Sequence, residues 1–226
     1  MLEHLAIIMD GNGRWGIKNF NSRIKGHKQG VISLEECIKN CMEFDIKILS
    51  VYAFSTENWK RPKLEVNTLM KMFENYLIQK KAELNKNGIK LIISGSRSNL
   101  SNSLIEQIKN TEDFLKDNTK FTLNICFNYG GRDEIVKAVN KLINEGKSEI
   151  NELDISSNLY SSLKDPDLII RTGGDYRLSN FLIWQSSYSE LYFTDTLWPD
   201  FNKDDLKKAI DSFYSRKRRF GGLDVK

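Results

Sequence analysis

Short apolar runs that break into glycine- or arginine-bearing turns recur along this chain, and most are followed by a stretch with helical spacing. The first is Leu5 to Met9, Leu-Ala-Ile-Ile-Met, which runs directly into Asp10-Gly11-Asn12-Gly13. A run that is apolar at every position leaves no face for water. It therefore reads as a strand buried on both sides, as in a parallel sheet. Further strands are expected at 46–54, 89–94, 121–127, 167–170 and 190–193. Val31, Leu34, Ile38, Cys41 and Met42 recur at helical spacing. So do Val66, Leu69, Met70, Phe73, Tyr76 and Leu77 in a long helix over 66–84. Helices are also expected over 104–115, from Gly130-Gly131 to about Ile143, and over 204–219, while the polar stretch 144–157 reads as a surface loop. This alternation specifies an α/β fold: a mainly parallel six-stranded sheet flanked by helices. With 226 residues and no linker, repeat or low-complexity segment, residues 1–226 read as one domain.

Composition narrows the function classes. The net charge is +4, and the basic residues are interleaved with acids except at Arg216-Lys217-Arg218-Arg219. That is not the basic stripe of a nucleic-acid binder. Cys37, Cys41 and Cys126 form no Cys-x-x-Cys pair or Cys/His cluster. They read as small buried hydrophobes in a reducing cytoplasm. No signal-peptide core precedes Asp10, and no apolar run approaches the ~20 residues of a membrane span. The expected location is cytoplasmic, so a lipid substrate would be met from that side.

In an open parallel sheet, ligands sit beyond the carboxyl ends of the strands. The residues found there share a chemistry. Asp10, Gly11, Asn12, Gly13 and Arg14 follow the first strand; Ser55, Thr56, Glu57, Asn58, Trp59 and Arg61 follow the second. Asn128, Gly130, Gly131 and Arg132 follow the fourth; Arg171, Thr172, Gly173, Gly174 and Arg177 follow the fifth. Glycines let backbone N–H groups approach an anion, and arginines offer paired donors to phosphate oxygens. Arg14, Arg23, Arg61, Arg171 and Arg177, with His27, would suit two phosphorylated ligands better than one. Each signal alone has a plainer reading: a Gly-x-Gly is also a tight turn, a lone arginine is also a solvated side chain, and His27 is also a helix cap. No Gly-Lys-Ser/Thr follows the glycine loop, which argues against an NTPase. Asp10 admits two readings, a turn or cap residue and a metal ligand. A carboxylate beside a phosphate is repelled unless a cation lies between them, and Mg²⁺ commonly takes one or two carboxylates plus phosphate oxygens. Glu190, at the head of the sixth strand, is a candidate second ligand. His4 shows no evident role. The stripe over 66–84 reads as core, though its Met and Phe content also suits a wall against lipid.

Taken together the blocks resemble the cis-prenyltransferases, and among them bacterial undecaprenyl diphosphate synthases. They are His4-Leu-Ala-Ile-Ile-Met-Asp-Gly-Asn-Gly-Arg-Trp15, Gly26-His27-Lys28, Tyr52-Ala-Phe-Ser-Thr-Glu-Asn-Trp-Lys-Arg-Pro62 and Asn128-Tyr-Gly-Gly-Arg132. Later come Ile170-Arg-Thr-Gly-Gly174, Arg177-Leu-Ser-Asn-Phe181, Ser189-Glu-Leu-Tyr-Phe193, Trp198-Pro-Asp200 and Arg218-Arg-Phe-Gly-Gly222. So many blocks in order, across nearly the whole chain, are specific to that family.

The resemblance implies roles. Asp10 handles Mg²⁺ and the diphosphates, with Glu190 as a second metal-associated carboxylate. Gly11, Asn12, Gly13 and Arg14, beside Trp15 and with Arg23, His27 and Arg61, hold an allylic diphosphate, by default farnesyl diphosphate. Arg171, Arg177, Leu178 and Ser179 hold isopentenyl diphosphate. Asn58 assists proton removal, while Ser55, Thr56, Glu57, Trp59 and Glu65 place the reacting ends. Arg219 and Gly221 belong to a motif that reaches a neighbouring subunit's site. A homodimer with a hydrophobic tunnel is implied, with undecaprenyl diphosphate for the cell-wall lipid carrier as default product and peripheral contact with the cytoplasmic membrane face for its release. Each added isoprene unit would gain about 4 kcal/mol at most from burial, at ~0.8 kcal/mol per CH₂. Two departures stand out: Asp175-Tyr176 replaces a common Glu-His, and Ser94-Gly95-Ser96 replaces a common Gly-Asp. A trans-type prenyltransferase is disfavoured, because Asp204-Asp205 continues Leu-Lys-Lys rather than completing Asp-Asp-x-x-Asp. A non-catalytic partner subunit is the remaining alternative, but such subunits lack the aspartate loop.

Overall fold

The computed structural model describes residues 1–217, so Arg219 and Gly221 lie outside the described residues. Six strands form one sheet, in the order β3-β4-β2-β1-β5-β6, and every neighbouring pair is parallel. The strands are β1 (His4–Ile8), β2 (Ile48–Ser55), β3 (Ile89–Ser94), β4 (Phe121–Tyr129), β5 (Leu168–Arg171) and β6 (Glu190–Phe193). The helices are α1 (Asn12–Phe20), α2 (Arg23–Glu43), α3 (Lys63–Lys86), α4 (Asn102–Leu115), α5 (Gly131–Asn144), α6 (Glu152–Ser157) and α7 (Lys203–Ser215). Short 3₁₀ turns occupy Thr56–Lys60 and Trp198–Asp200.

Successive strand residues face opposite sides, so an all-apolar strand needs cover on both. Leu5 and Ile7 of β1 join the larger core with Leu49, Val51, Leu123, Ile125, Leu168 and Ile170. Helices α2 and α3 bury Leu34, Ile38, Cys41, Phe73, Tyr76 and Leu77 in the same core. Ala6 and Ile8 face the other way, with Cys126, Tyr129, Ile169, Phe181 and Leu182. The three cysteines are buried and unpaired.

Two departures from the expected elements have local causes. The glycine loop does not end in a free turn: α1 begins at Asn12, although Gly13 and Gly16 lower helix propensity within it. The expected loop 144–157 contains α6, which starts on a reciprocal cap between Asn151 and Asp154. Among the described residues no helix is long and apolar enough to cross a membrane.

One buried polar chain crosses four strands. The His4 Nδ1–H donates to the Lys164 carbonyl, which fixes the tautomer, and Nε2 accepts from Ser50 Oγ at 2.8 Å. Asn124 Nδ2 donates to Ser50 Oγ at 2.9 Å, and Ser94 Oγ donates to Asn124 Oδ1 at 2.8 Å. Burial lowers the His4 pKa to about 4, against the raising effect of the Lys164 carbonyl. The unfolded chain therefore takes up a proton near pH 6.5 that the folded chain refuses until about pH 4. Stability from His4 is full above pH 6.5 and is lost as pH falls through that window. Wild-type protein should lose about 3 kcal/mol more than His4→Gln between pH 7 and pH 4, read from denaturant midpoints. Equal losses in the two proteins would refute the buried neutral imidazole.

Candidate functional site

Parallel pairing sets the ends of β1, β2 and β5 side by side, with Ile8 level with Tyr52 and with Arg171. The connection from β1 leads toward β2, while that from β5 leads the opposite way to β6. The strand order therefore splits between β1 and β5, where an open sheet places its crevice. A cavity of about 760 Å³ lies there. It is lined by Asp10, Gly11, Asn12, Gly13 and Arg14 from the first strand end, by Arg23 and His27 of α2, and by Ser55, Glu57, Asn58 and Arg61 after β2. Arg171, Arg177 and Ser179 close the third side.

The glycines act as the sequence requires. Gly11 has φ of 109°, and a Cβ there would come within 2.8 Å of Leu197. A Cβ on Gly13 would lie 2.7–2.8 Å from the Arg23 guanidinium, so only glycine lets that group settle against the start of α1. The N–H groups in the first turn of α1 have no acceptor within the helix and add partial positive charge. A register irregularity between Tyr52 and Ser55 of β2 exposes Ala53 and redirects the chain into the 3₁₀ turn. In that turn the Asn58 carbonyl oxygen accepts from the Ser55 N–H at 3.2 Å, which fixes its amide.

Carboxylates hold the cationic groups in place. Glu65 gathers three: Arg23 at 3.0 and 3.3 Å, His27 at 3.2 Å and Arg61 at 3.2 Å. Burial alone would raise the Glu65 carboxyl, but its hydrogen bond to Arg23 and the charges of Arg23 and Arg61 hold it below its ordinary value. Burial pushes His27 below its ordinary value, despite the raising effect of Glu65. Asp10 spans Arg14 at 3.2 Å and Arg171 at 2.9 Å. Asp175 grips Arg177 at 2.8 and 2.9 Å and Arg171 at 3.2 Å.

These contacts divide the arginines into two kinds. The Arg171 side chain is 5 % exposed, and it also donates to the Arg177 carbonyl and Ser179 Oγ, so it is a strut. The side chains of Arg14, Arg23 and Arg177 are 52 %, 48 % and 61 % exposed and can turn to an incoming anion.

Several expected site residues stand beside the cavity rather than in it. Trp15 donates to Asp200 at 2.6 Å, and Trp59 donates to Asn128 at 2.8 Å while packing on Phe54. Thr56 donates to Glu57 at 3.3 Å, and Leu178 packs against the smaller core. Glu190 is the first residue of β6, level with Leu168, whereas Arg171 and Phe193 are level at the crevice end. That places it three residues, roughly 10 Å, back along the strand. Its carboxylate pairs with Arg216 at 2.8 Å, so within one chain it is no neighbour of Asp10. Tyr52, Asp175 and Asn180 line the cavity without having been marked as binding residues. Asn180 ties Glu57, at 3.0 Å, to the Arg132 N–H, at 2.9 Å. Its polar side chain and positive φ of 67° are weak signals that only the fold makes legible.

Among the described residues no cluster of three His, Cys, Asp or Glu forms a cage for a metal. Asp10 is a part-exposed carboxylate facing the cation-lined cavity, between Arg14 and Arg171. That fits Mg²⁺, which takes one or two carboxylates and completes its shell with phosphate oxygens and water.

A second cavity of about 100 Å³ shares Met9, Asn12, His27 and Ala53 with the first. Val31, Leu34, Leu69, Phe73, Ile125 and Phe127 make it apolar. Thus a polar, cation-rich chamber continues into a hydrocarbon-lined one.

The family model described as putative undecaprenyl diphosphate synthase matches residues 8–221. The isoprenyl transferase of Fusobacterium nucleatum is 51 % identical, over 98 % of this chain and 96 % of its own. A crystal structure of a probable undecaprenyl diphosphate synthase from Campylobacter jejuni is 39 % identical, with a TM-score of 0.84 over 98 % of this chain and 99 % of that one. The lavandulyl diphosphate synthase of Lavandula x intermedia, solved with dimethylallyl diphosphate, is 33 % identical, with a TM-score of 0.92 over 98 % of each chain.

Arg177 is exposed and, among the described residues, pairs with the side chain of Asp175 alone, so Arg177→Ala should leave the fold intact. It should weaken inorganic diphosphate binding about 10- to 100-fold, one or two charged hydrogen bonds' worth. Isothermal titration calorimetry checks this, and unchanged affinity would remove Arg177 from the anion site.

Proposed function

We propose that this chain, which belongs to the undecaprenyl diphosphate synthase family of cis-prenyltransferases, condenses isopentenyl diphosphate onto an allylic diphosphate to give a long cis-polyprenyl diphosphate. The observation that carries this reading is the joined pair of cavities. One is rich in cationic groups held ready by carboxylates; the other is apolar and shares four lining residues with it. A diphosphate ester with a hydrocarbon tail has that same division.

The geometry supports the following division of roles. The allylic diphosphate lies against the N-terminus of α1, with Arg23, His27 and Arg61 around it and its tail toward Val31, Leu34 and Phe73. Isopentenyl diphosphate lies on the other side of Asp10, on Arg177 and Ser179, with Arg171 bracing both. The allylic C–O bond breaks, and the electron pair leaves with diphosphate. The isopentenyl double bond supplies electrons for the new C–C bond, and a proton is then lost to form the new double bond. Arginines and helix N–H groups, already oriented before the reaction, stabilise the charge that develops on the departing diphosphate. Asn58 is an amide with no useful basicity; held by Ser55, it orients the reacting end. Mg²⁺, held at Asp10, would supply further positive charge to the diphosphate oxygens. Glu190 stands apart from that ion within one chain.

The lavandulyl enzyme's dimethylallyl diphosphate supports an allylic substrate for this fold. Farnesyl diphosphate is the proposed primer and undecaprenyl diphosphate the proposed product, serving a cell-wall lipid carrier. A homodimer in the cytoplasm, touching the membrane face to release product, completes the proposal. Incubation with farnesyl diphosphate, labelled isopentenyl diphosphate and Mg²⁺ should give labelled polyprenyl products on chromatography. EDTA should stop incorporation. Asp10→Ala should lower turnover at least 100-fold, the order expected for a lost charge-stabilising group, while circular dichroism stays unchanged. No incorporation by folded wild-type protein would sink the proposal in favour of a non-catalytic subunit, and near-normal turnover by Asp10→Ala would remove Asp10 from its role.

A further inference from the structure

A third cavity, of about 280 Å³, lies beyond the apolar one. Helices α2 and α3 both start at the diphosphate site and run away from it, and the lining residues advance along both in step. The polar chamber takes Arg23 and His27 from α2. The apolar cavity takes Val31 and Leu34 from α2, with Leu69, Met72, Phe73 and Tyr76 from α3. The third takes Ile38 and Met42 from α2, with Tyr76, Lys80 and Leu84 from α3. Phe73, Tyr76 and Lys80 follow at helical spacing, on one face of α3.

Among the described residues, Tyr76 is the one that lines both the apolar cavity and the one beyond it. Its side chain is 7 % exposed, wedged where the two spaces meet. It sits eleven residues past Glu65, roughly 16 Å along α3 from the anion site. Past it the floor stays apolar, with Ile38, Met42, Leu84 and Ile89, but the rim is ionic. Lys80 bridges α2 and α3 by pairing with Glu35 at 2.8 Å and Glu83 at 3.0 Å. The inner cavity is small for a long hydrocarbon, and the space behind Tyr76 is nearly three times larger.

We propose that Tyr76 is the partition that sets how long a hydrocarbon chain this protein accepts. Its ring closes the apolar cavity, and chains beyond a set length pass only by moving the ring into the space toward Lys80. Product length, in the reaction proposed above on which this rests, is then a property of the Tyr76 side chain. The ion pairs at Lys80 form the outer stop, since a hydrocarbon cannot replace their hydrogen bonds.

Two measurements separate this inference from the proposed reaction. The first needs no turnover: saturated n-alkyl diphosphates of increasing length are titrated into wild type, Tyr76→Leu and Tyr76→Trp. Affinity should rise about fourfold per added CH₂ until the chain meets position 76, then level off. The plateau should come at longer chains in Tyr76→Leu and at shorter ones in Tyr76→Trp, each variant checked for a wild-type circular dichroism spectrum. The second is the length of the labelled polyprenyl products, which should shift in the same two directions. A plateau at the same length in all three folded proteins would overturn the role of Tyr76, whatever the enzyme makes. A moving plateau without any incorporation would support the partition and refute the reaction instead.

Discussion

β1 pairs with β2 on one side and with β5 on the other, all parallel, and this double pairing is the constraint behind the rest of the molecule. Parallel strands must bring all their carboxyl ends to one edge. Chain segments more than a hundred residues apart, Asp10 and Arg171, therefore meet as an ion pair at 2.9 Å. The same rule sends the following helices back from that edge, with their amino ends at the crevice. Helix polarity, the arginine forks and the apolar gap between α2 and α3 are then consequences of strand direction, not separate devices.

The cations around the crevice are not left to repel one another. Glu65, Asp10 and Asp175 each hold two or more of them. Breaking such a partly buried arrangement by removing one partner is costly, because the remaining charges lose both water and counter-charge. An anion arriving there would replace some of these contacts rather than meet bare charge. This arrangement favours ligands carrying at least as much negative charge as the carboxylates they displace.

Strand positions were legible because a both-sides-buried strand cannot hide its composition, and expected and observed strands differ by about two residues at most ends. Helix α1 was not, because Gly13 and Gly16 mimic a turn; they are there for close approach to Arg23 and α2. The short α6 was masked by a polar composition whose only clue was the spacing of Asn151 and Asp154. Within the site, residues next to a strand end were found by position alone. What position could not show was direction: Arg171 turned out to be an internal strut, and the indoles of Trp15 and Trp59 point into braces. Glu190 shows the same limit, since within one chain it pairs with Arg216 away from Asp10. The first residue of a parallel strand lies at the end away from the crevice, and the register that shows this is a long-range property.

The polar chain from His4 through Ser50 and Asn124 to Ser94 has a consequence beyond its buried imidazole. Apolar strands are poorly discriminating partners, since one greasy edge resembles another at several offsets. A row of four polar side chains, one from each of four adjacent strands, closes its hydrogen bonds only when all four are aligned. A slip of one residue would send a member to the opposite face and leave its neighbours unsatisfied in the interior. The thread thus works like the notches on a key: it adds little to the grip of the sheet, but admits only one way of assembling it.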